Sequence, residues 1–418
     1  IMLSDIECFG QLGSKTAGHP EYGHIEGIET TTGPLGQGLS NAVGFALAEE
    51  SVRARWGSEI CCHKTYVIVG DGCLMEGISQ ESISFAGKQK LKNLIVLWDD
   101  NGITIDGEVS KSCITDQIAR FTASGWSVFE CDGHNPKSID EVLNLAKASD
   151  LPAFIKCKTN IGFGSPNKEG KASSHGAPLG EDEIVKVREA YNWHYPAFVI
   201  PDQISSVWKK IGTQSKEIFD KWEYRFENLS KTKRHRFSTE LKGDPPKKLV
   251  REIRALKKMI SAERPNIATR KSSEHALTLI NKVMRNTIGG SADLTGSNNT
   301  LTTDLGVFEP KNRLGRYIYY GIREHAMSAI MNGMALHGGM VPYGGTFMAF
   351  ADYARGGMRL SSLMGLGVIY VMTHDSIGLG EDGPTHQPVE HLSMLRATPN
   401  MLVFRPADTV ETIEAWEI

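Results

Sequence analysis

Residues 65–77 read TYVIVGDGCLMEG, and their interpretation decides the fold. A short apolar, largely β-branched run goes straight into Gly70-Asp71-Gly72, and a second acid returns at Glu76. An apolar run of this kind that stops on a glycine cluster reads as a strand buried on both faces. The runs 94–98, 127–131 and 154–157 repeat the pattern, ending on DDNG, DGHN and KTNIG. Longer helix-like stretches lie between them, which predicts a parallel sheet with helices on both faces. Ligands on such sheets bind beyond the carboxyl ends of the strands, so the polar clusters mark one candidate rim.

After this half the texture changes. Residues 203–260 are charged and helical, and Asp244-Pro245-Pro246 interrupts them. Leu249, Ile253, Leu256 and Ile260 recur at helical spacing and form one apolar stripe among lysines and arginines. The charge pattern reads as a solvated linker. The α/β rhythm then resumes, with strands expected at 287–289, 317–320, 367–373 and 401–404. The expectation is two α/β domains: 1–202, a linker at 203–260, and 261–418.

Composition narrows the function. The 418 residues exceed what one hydrophobic core organises. Lys+Arg 46 against Asp+Glu 49 leaves a formal charge of -3, so no general attraction to nucleic acid is expected. No apolar run approaches the ~20 residues of a membrane-spanning helix. The opening IMLSDIECFGQLG lacks the build of a signal peptide. Seven cysteines are scattered without a C-x-x-C pair, which suggests reduced thiols and a cytoplasmic location.

The chemistry starts from Asp71 and Asn101, thirty residues apart, enough for one helix and a return strand. Both then stand at the carboxyl ends of neighbouring strands, where a carboxylate, an amide oxygen and a backbone carbonyl suit Mg²⁺ or Ca²⁺. Gly70 and Gly72 would let a phosphate approach the backbone. Taken alone, an Asp between glycines reads as a turn. The second oxygen-rich strand end shifts the reading toward a metal.

This pair resembles the diphosphate signature of thiamine-diphosphate enzymes. Further stretches resemble the transketolase family: GHPEYGH (18–24), GIETTTGPLGQGLSNAVGFALAE (27–49), SHGAPLG (174–180), GGSADLTGSN (289–298), GIREHAM (321–327) and EDGPTHQPVEHL (381–392). The resemblance implies two thiamine-diphosphate-binding-fold domains. In it, Asp71, Asn101 and the carbonyl of Ile103 hold the metal, while Gly33, Pro34 and Leu35 line the cofactor passage. Glu324 pairs with a ring nitrogen of the aminopyrimidine, which requires a carboxyl kept protonated by an apolar pocket. Phe347, Phe350 and Tyr353 match the aromatics around that ring.

His19, His175, His374 and His386 match positions that contact the sugar or shuttle protons, a role suited to a side chain titrating near neutrality. Asp382 matches the acid that reads a donor hydroxyl, and Arg270 and Ser297 match the grip on the substrate phosphate. Glu76 matches a glutamate coupling two active sites, or is a first-turn helix acid. His24, His134, His337 and His391 read as structural. Implied overall is a homodimeric transferase of the pentose phosphate pathway, moving a two-carbon ketol unit between sugar phosphates. The rivals are a deoxyxylulose-phosphate or dihydroxyacetone synthase, or a non-catalytic relative. The resemblance also implies an earlier segment with two more histidines, a further arginine and a carboxyl-terminal domain, none of which these residues contain.

Overall fold

The computed structural model describes residues 1–418. They form two compact units: residues 1–20 with 58–230, and residues 21–57 with 231–418. The segment 21–57 therefore packs with the second half of the chain, across a large gap in sequence.

The first unit is built on a parallel sheet in the order β1-β2-β6-β5. Its strands are β1 (Thr65–Gly70), β2 (Leu94–Asp100), β5 (Ser127–Asp132) and β6 (Ala153–Lys158), and a small antiparallel hairpin, β3 (Ile103–Thr104) with β4 (Gly107–Glu108), follows β2. All four expected runs are strands. Register places Gly70 opposite Asp99, so the loops holding Asp71 and Asn101 leave adjacent strand ends. Helix Pro136–Ala148 covers one face, setting Ile139, Val142 and Leu143 on Ile95, Ala153 and Ile155. Its start is written in the sequence: Pro136 occupies the first turn, and the Asn135 side chain accepts from the backbone N–H groups of Lys137 and Ser138.

The second unit has the parallel order β10-β9-β7-β8. The strands are β7 (Thr287–Ser291), β8 (Tyr317–Tyr319), β9 (Val341–Phe347) and β10 (Ile369–Thr373). One expectation changes here, and one strand is new. Residues 401–404 form no ladder, although Met401 and Val403 still pack on the cluster around Met348 and Met358. Residues 341–347, outside the expected strands, form an interior strand despite Pro342, Gly344 and Gly345. The glycines are needed for space: a Cβ on Gly344 would lie 2.8 Å from the Met331 side chain, and one on Gly345 2.9 Å from Thr300.

Helix Glu324–His337 runs through the middle of this unit, and its apolar residues Met327, Ile330, Met331 and Met334 are fully buried. Burial of each such side chain is worth about 1.5–3 kcal/mol. Helix Gln37–Trp56 packs against it so closely that a Cβ on Gly44 would lie 2.2 Å from the Ile330 carbonyl, and one on Gly333 2.0 Å from the Asn41 carbonyl. Helix Ala351–Leu363 lies along it too, with Asn332 donating from Nδ2 to the Gly357 carbonyl at 2.9 Å.

The charged segment is divided between the units. Helix Asp202–Glu227 buries no residue, and within the first unit Trp222 Nε1 donates to the Ile60 carbonyl at 2.9 Å. Helix Lys247–Glu263 belongs to the second. Its stripe of Leu249, Ile253 and Ile260 joins Ala276, Ile280, Met284 and Ile413 in a core cluster, so this part is not a solvated connection.

Candidate active site

In the first unit the site begins where β1 ends. Asp71 opens the short helix Asp71–Met75 directly after Gly70, which has open space where a side chain would be. Asp71 Oδ2 is buried without a hydrogen-bond partner. Burial, then the nearby negative charge of Asp100, pushes its carboxyl up to about 6. The neighbouring loop is preorganised. Asn101 Oδ1 accepts from the Ile103 N–H at 2.9 Å, and Asn101 Nδ2 donates to Asp99 Oδ2 at 2.8 Å. The other Asp99 oxygen accepts from the Thr159 hydroxyl. A buried carboxylate oxygen with nothing to bind, beside hard oxygen donors, fits a Mg²⁺-like cation. Asp71, Asn101 and the Ile103 carbonyl could hold it. Gly72 lies in the first turn of the Asp71 helix, and Glu76 sits exposed between that helix and the next.

The two histidines expected from this unit differ from the metal residues in being open. His19 lies in irregular chain and His175 just after the 3₁₀ turn Ala172–Ser174, both exposed. The segment before His175 is pinned by Glu183, a residue the sequence reading passed over. Its carboxylate accepts from Ser165 Oγ at 2.5 Å and from Asn167 N and Nδ2, both at 2.8 Å. His134 is structural, accepting the Asn160 N–H on Nε2 at 2.9 Å and stacking on Phe163.

The second unit gathers the remaining residues. Glu324, 7 % exposed, starts the buried helix. Thr346 at the end of β9 donates to Glu324 Oε1 at 3.2 Å. Burial pushes the Glu324 carboxyl up despite this bond and one from its own backbone. Phe347 follows Thr346 and is buried, Phe350 is half-buried, and Tyr353 is exposed. The Phe347 and Phe350 rings lie nearly parallel, 6.0 Å apart.

His374 stacks on Phe347 at 3.8 Å, and His386 meets Phe350 edge-on at 5.3 Å. Burial, then the Arg270 guanidinium, lowers the His374 pKa against the opposing pull of Asp382 and Asp375. Arg270, Asp382 and His386 thus each stand within electrostatic reach of His374. Asn298 ties the strand ends together, accepting from Ser291 Oγ at 2.8 Å and donating to Thr373 Oγ1 at 2.6 Å. This sets Ser297 beside the same rim. His391 is buried with Nε2 on the Ala349 carbonyl, and His337 binds the Gly338 carbonyl through Nδ1.

The turn Gly33–Leu35 also belongs to this unit. Gly36 caps helix Gln37–Trp56 in the left-handed region at φ 81°. The next residue, Gln37, reaches His325 at 2.7 Å from amide nitrogen to ring Nε2. Gln37 and Asn298 lie inside the motif stretches at 27–49 and 289–298, and Thr346 directly precedes Phe347, yet the sequence reading gave none of the three a role.

Parallel sheets with a hard-oxygen cluster at one strand end and, in the other unit, a buried protonatable glutamate define the thiamine-diphosphate-binding class. Residues 1–246 match the family described as transketolase, thiamine diphosphate binding domain, and residues 265–418 match the transketolase pyrimidine binding domain. The chain belongs to the transketolase family. It is 59% identical over 416 residues to the transketolase of Rhodobacter capsulatus, covering 100% of this chain and 62% of that protein. The solved transketolase of Leishmania mexicana is similar at a TM-score of 0.93 with 40% identity, covering 100% of this chain and 63% of that one. A transketolase from Pichia stipitis solved with sedoheptulose 7-phosphate is similar at a TM-score of 0.92 and 40% identity, covering 99% and 63%. The chain thus spans a little over three-fifths of the length of these relatives.

Proposed function

We propose that this chain carries the cofactor-binding and donor-binding parts of a transketolase. The reaction is transfer of a two-carbon ketol unit from a ketose phosphate such as xylulose 5-phosphate to an aldose phosphate such as ribose 5-phosphate or erythrose 4-phosphate. The observation that carries this reading is the condition of two carboxyls, one in each unit: Asp71 Oδ2 is buried and unpartnered, and Glu324 is buried with a raised pKa. Thiamine diphosphate, when bound, supplies the electron sink for carbon–carbon cleavage.

The chain's residues do the rest. Asp71, Asn101 and the Ile103 carbonyl would hold Mg²⁺, or Ca²⁺ in its place, against the diphosphate, with Gly70 and Gly72 leaving the backbone open to it; Gly33, Pro34 and Leu35 would line a cofactor passage. Glu324 would hold its proton toward a ring nitrogen, and Phe347, Phe350 and Tyr353 would line that ring. His374 is biased toward its neutral form and can accept a proton from a sugar hydroxyl. His19, His175 and His386 contact the sugar, Asp382 reads a donor hydroxyl, and Arg270 with Ser297 grips the phosphate.

A homodimer in the cytoplasm, serving the pentose phosphate pathway, completes the reading. No helix is long and apolar enough to cross a membrane. Purified protein is given xylulose 5-phosphate and ribose 5-phosphate with thiamine diphosphate and Mg²⁺. Sedoheptulose 7-phosphate is the expected product; its absence from a preparation that binds the cofactor refutes the assignment.

A further inference from the structure

Residues 160–175 follow β6, close into a loop and end on His175. The Gly170 N–H donates to the Ile161 carbonyl at 2.8 Å and shuts the ring. Lys171 Nζ donates to the Asn167 carbonyl at 2.8 Å, and Ser174 donates to the Lys171 carbonyl from N at 3.1 Å and from Oγ at 2.7 Å. Ser174, the residue before His175, also sits against Gly162. A Cβ there would lie 2.9 Å from Ser174 Oγ, and φ of 64° already favours glycine. The position of His175 therefore depends on the shape of the loop around residues 165–167.

That stretch is held by Glu183, 6 % exposed, in the first turn of helix Glu181–Ala190, where a carboxylate is favoured. All its hydrogen-bond partners donate: Ser165 Oγ, in a bond that is itself buried, then Asn167 N and Nδ2. These neutral donors keep the carboxyl ionised, with Lys186 adding least. Three donors converging on one carboxylate leave no place for an amide, because glutamine would turn an N–H toward one of them. Leucine would fill the space without burying a charge. What the acid supplies beyond packing is a satisfied network, which fixes one loop conformation.

We propose that Glu183 is a positioning residue for sugar binding: through Ser165 and Asn167 it fixes the loop that presents His175. Every group involved lies within one unit. The inference rests on the reading of His175 as a sugar contact. Glu183 touches no substrate in this scheme.

The test compares wild type, Glu183→Gln, His175→Ala and the double variant in forming sedoheptulose 7-phosphate from xylulose 5-phosphate and ribose 5-phosphate, with saturating thiamine diphosphate and Mg²⁺. Glu183→Gln is expected to raise KM for xylulose 5-phosphate about tenfold while kcat stays within about twofold, the mark of lost ground-state binding. The double variant should be no worse than His175→Ala alone, because the acid acts through that histidine. Hydrogen exchange of the cofactor-free proteins reads the same coupling without turnover: amides at 171–175 should exchange faster in Glu183→Gln, while those of β6 stay unchanged. Ser165→Ala, which removes one donor, should move both readouts the same way by less, and serves if Glu183→Gln fails to fold. Losses in kcat/KM that multiply in the double variant, an unchanged KM, or faster exchange confined to 165–167 each overturn the proposal. Absence of wild-type turnover overturns the underlying reading instead.

Discussion

Replacing Gly333 with alanine tests how closely helix Glu324–His337 packs on helix Gln37–Trp56. The new Cβ would lie 2.0 Å from the Asn41 carbonyl, whereas ordinary contact begins near 3.4 Å, so the helices must part by roughly 1.4 Å. The obstacle is the Asn41 backbone, which no rotamer change can move. Overpacking of this kind costs about 3 kcal/mol at the upper end of its usual range. Alanine recovers about 1 kcal/mol of helix propensity over glycine, leaving a net loss of about 2 kcal/mol. For a unit of this size that lowers Tm by about 4–8 °C. Differential scanning calorimetry of the wild type and Gly333→Ala reads the shift directly. A Tm within 1 °C of wild type, or above it, would refute the argument that these two helices touch through their backbones.

Three other expectations follow from single groups. Asp71→Asn should stabilise the cofactor-free protein by about 1 kcal/mol at pH 7, since the folded state holds that carboxyl near 6 and so binds its proton more tightly than the unfolded chain; the gain should vanish by about pH 4, and the same variant should lose Mg²⁺-dependent cofactor binding. The Glu183 carboxyl is held down to about 2, first by the Ser165 hydroxyl and then by Asn167, so its contribution is present above its ordinary value of 4.5 and fades as pH falls toward 2. The gap in urea midpoint between wild type and Glu183→Gln should therefore close between pH 5 and about pH 2, and a constant gap would count against this staple. Glu324→Ala should abolish sedoheptulose 7-phosphate formation while cofactor affinity falls comparatively little; retained turnover would remove Glu324 from its role.

Much of the rim was legible in one dimension because strand ends declare themselves locally. A run such as 65–70 needs only its own side chains to read as a buried strand, and GDG announces the turn after it. Residues 341–347 defeated that logic. Pro342, Gly344 and Gly345 argue locally against a strand, yet β9 lies between β7 and β10. What overrides propensity is space taken by Met331 and Thr300, both distant along the chain. The reverse error at 401–404 has the same origin: local apolar character cannot supply a ladder partner.

The sequence by itself determined the types of groups at the site and their order: oxygen donors at 71 and 101, a carboxyl at 324, aromatics at 347 to 353, and cations and imidazoles around them. These are covalent facts, and motif spacing carries them. Only the tertiary structure decided their condition. Asp71 Oδ2 lacks a partner, Glu324 favours its proton, and Gln37 meets His325 because folding excludes water from chosen atoms and joins residues hundreds of positions apart. Solvation and proximity are properties of the packed chain, so no local stretch of residues could state them.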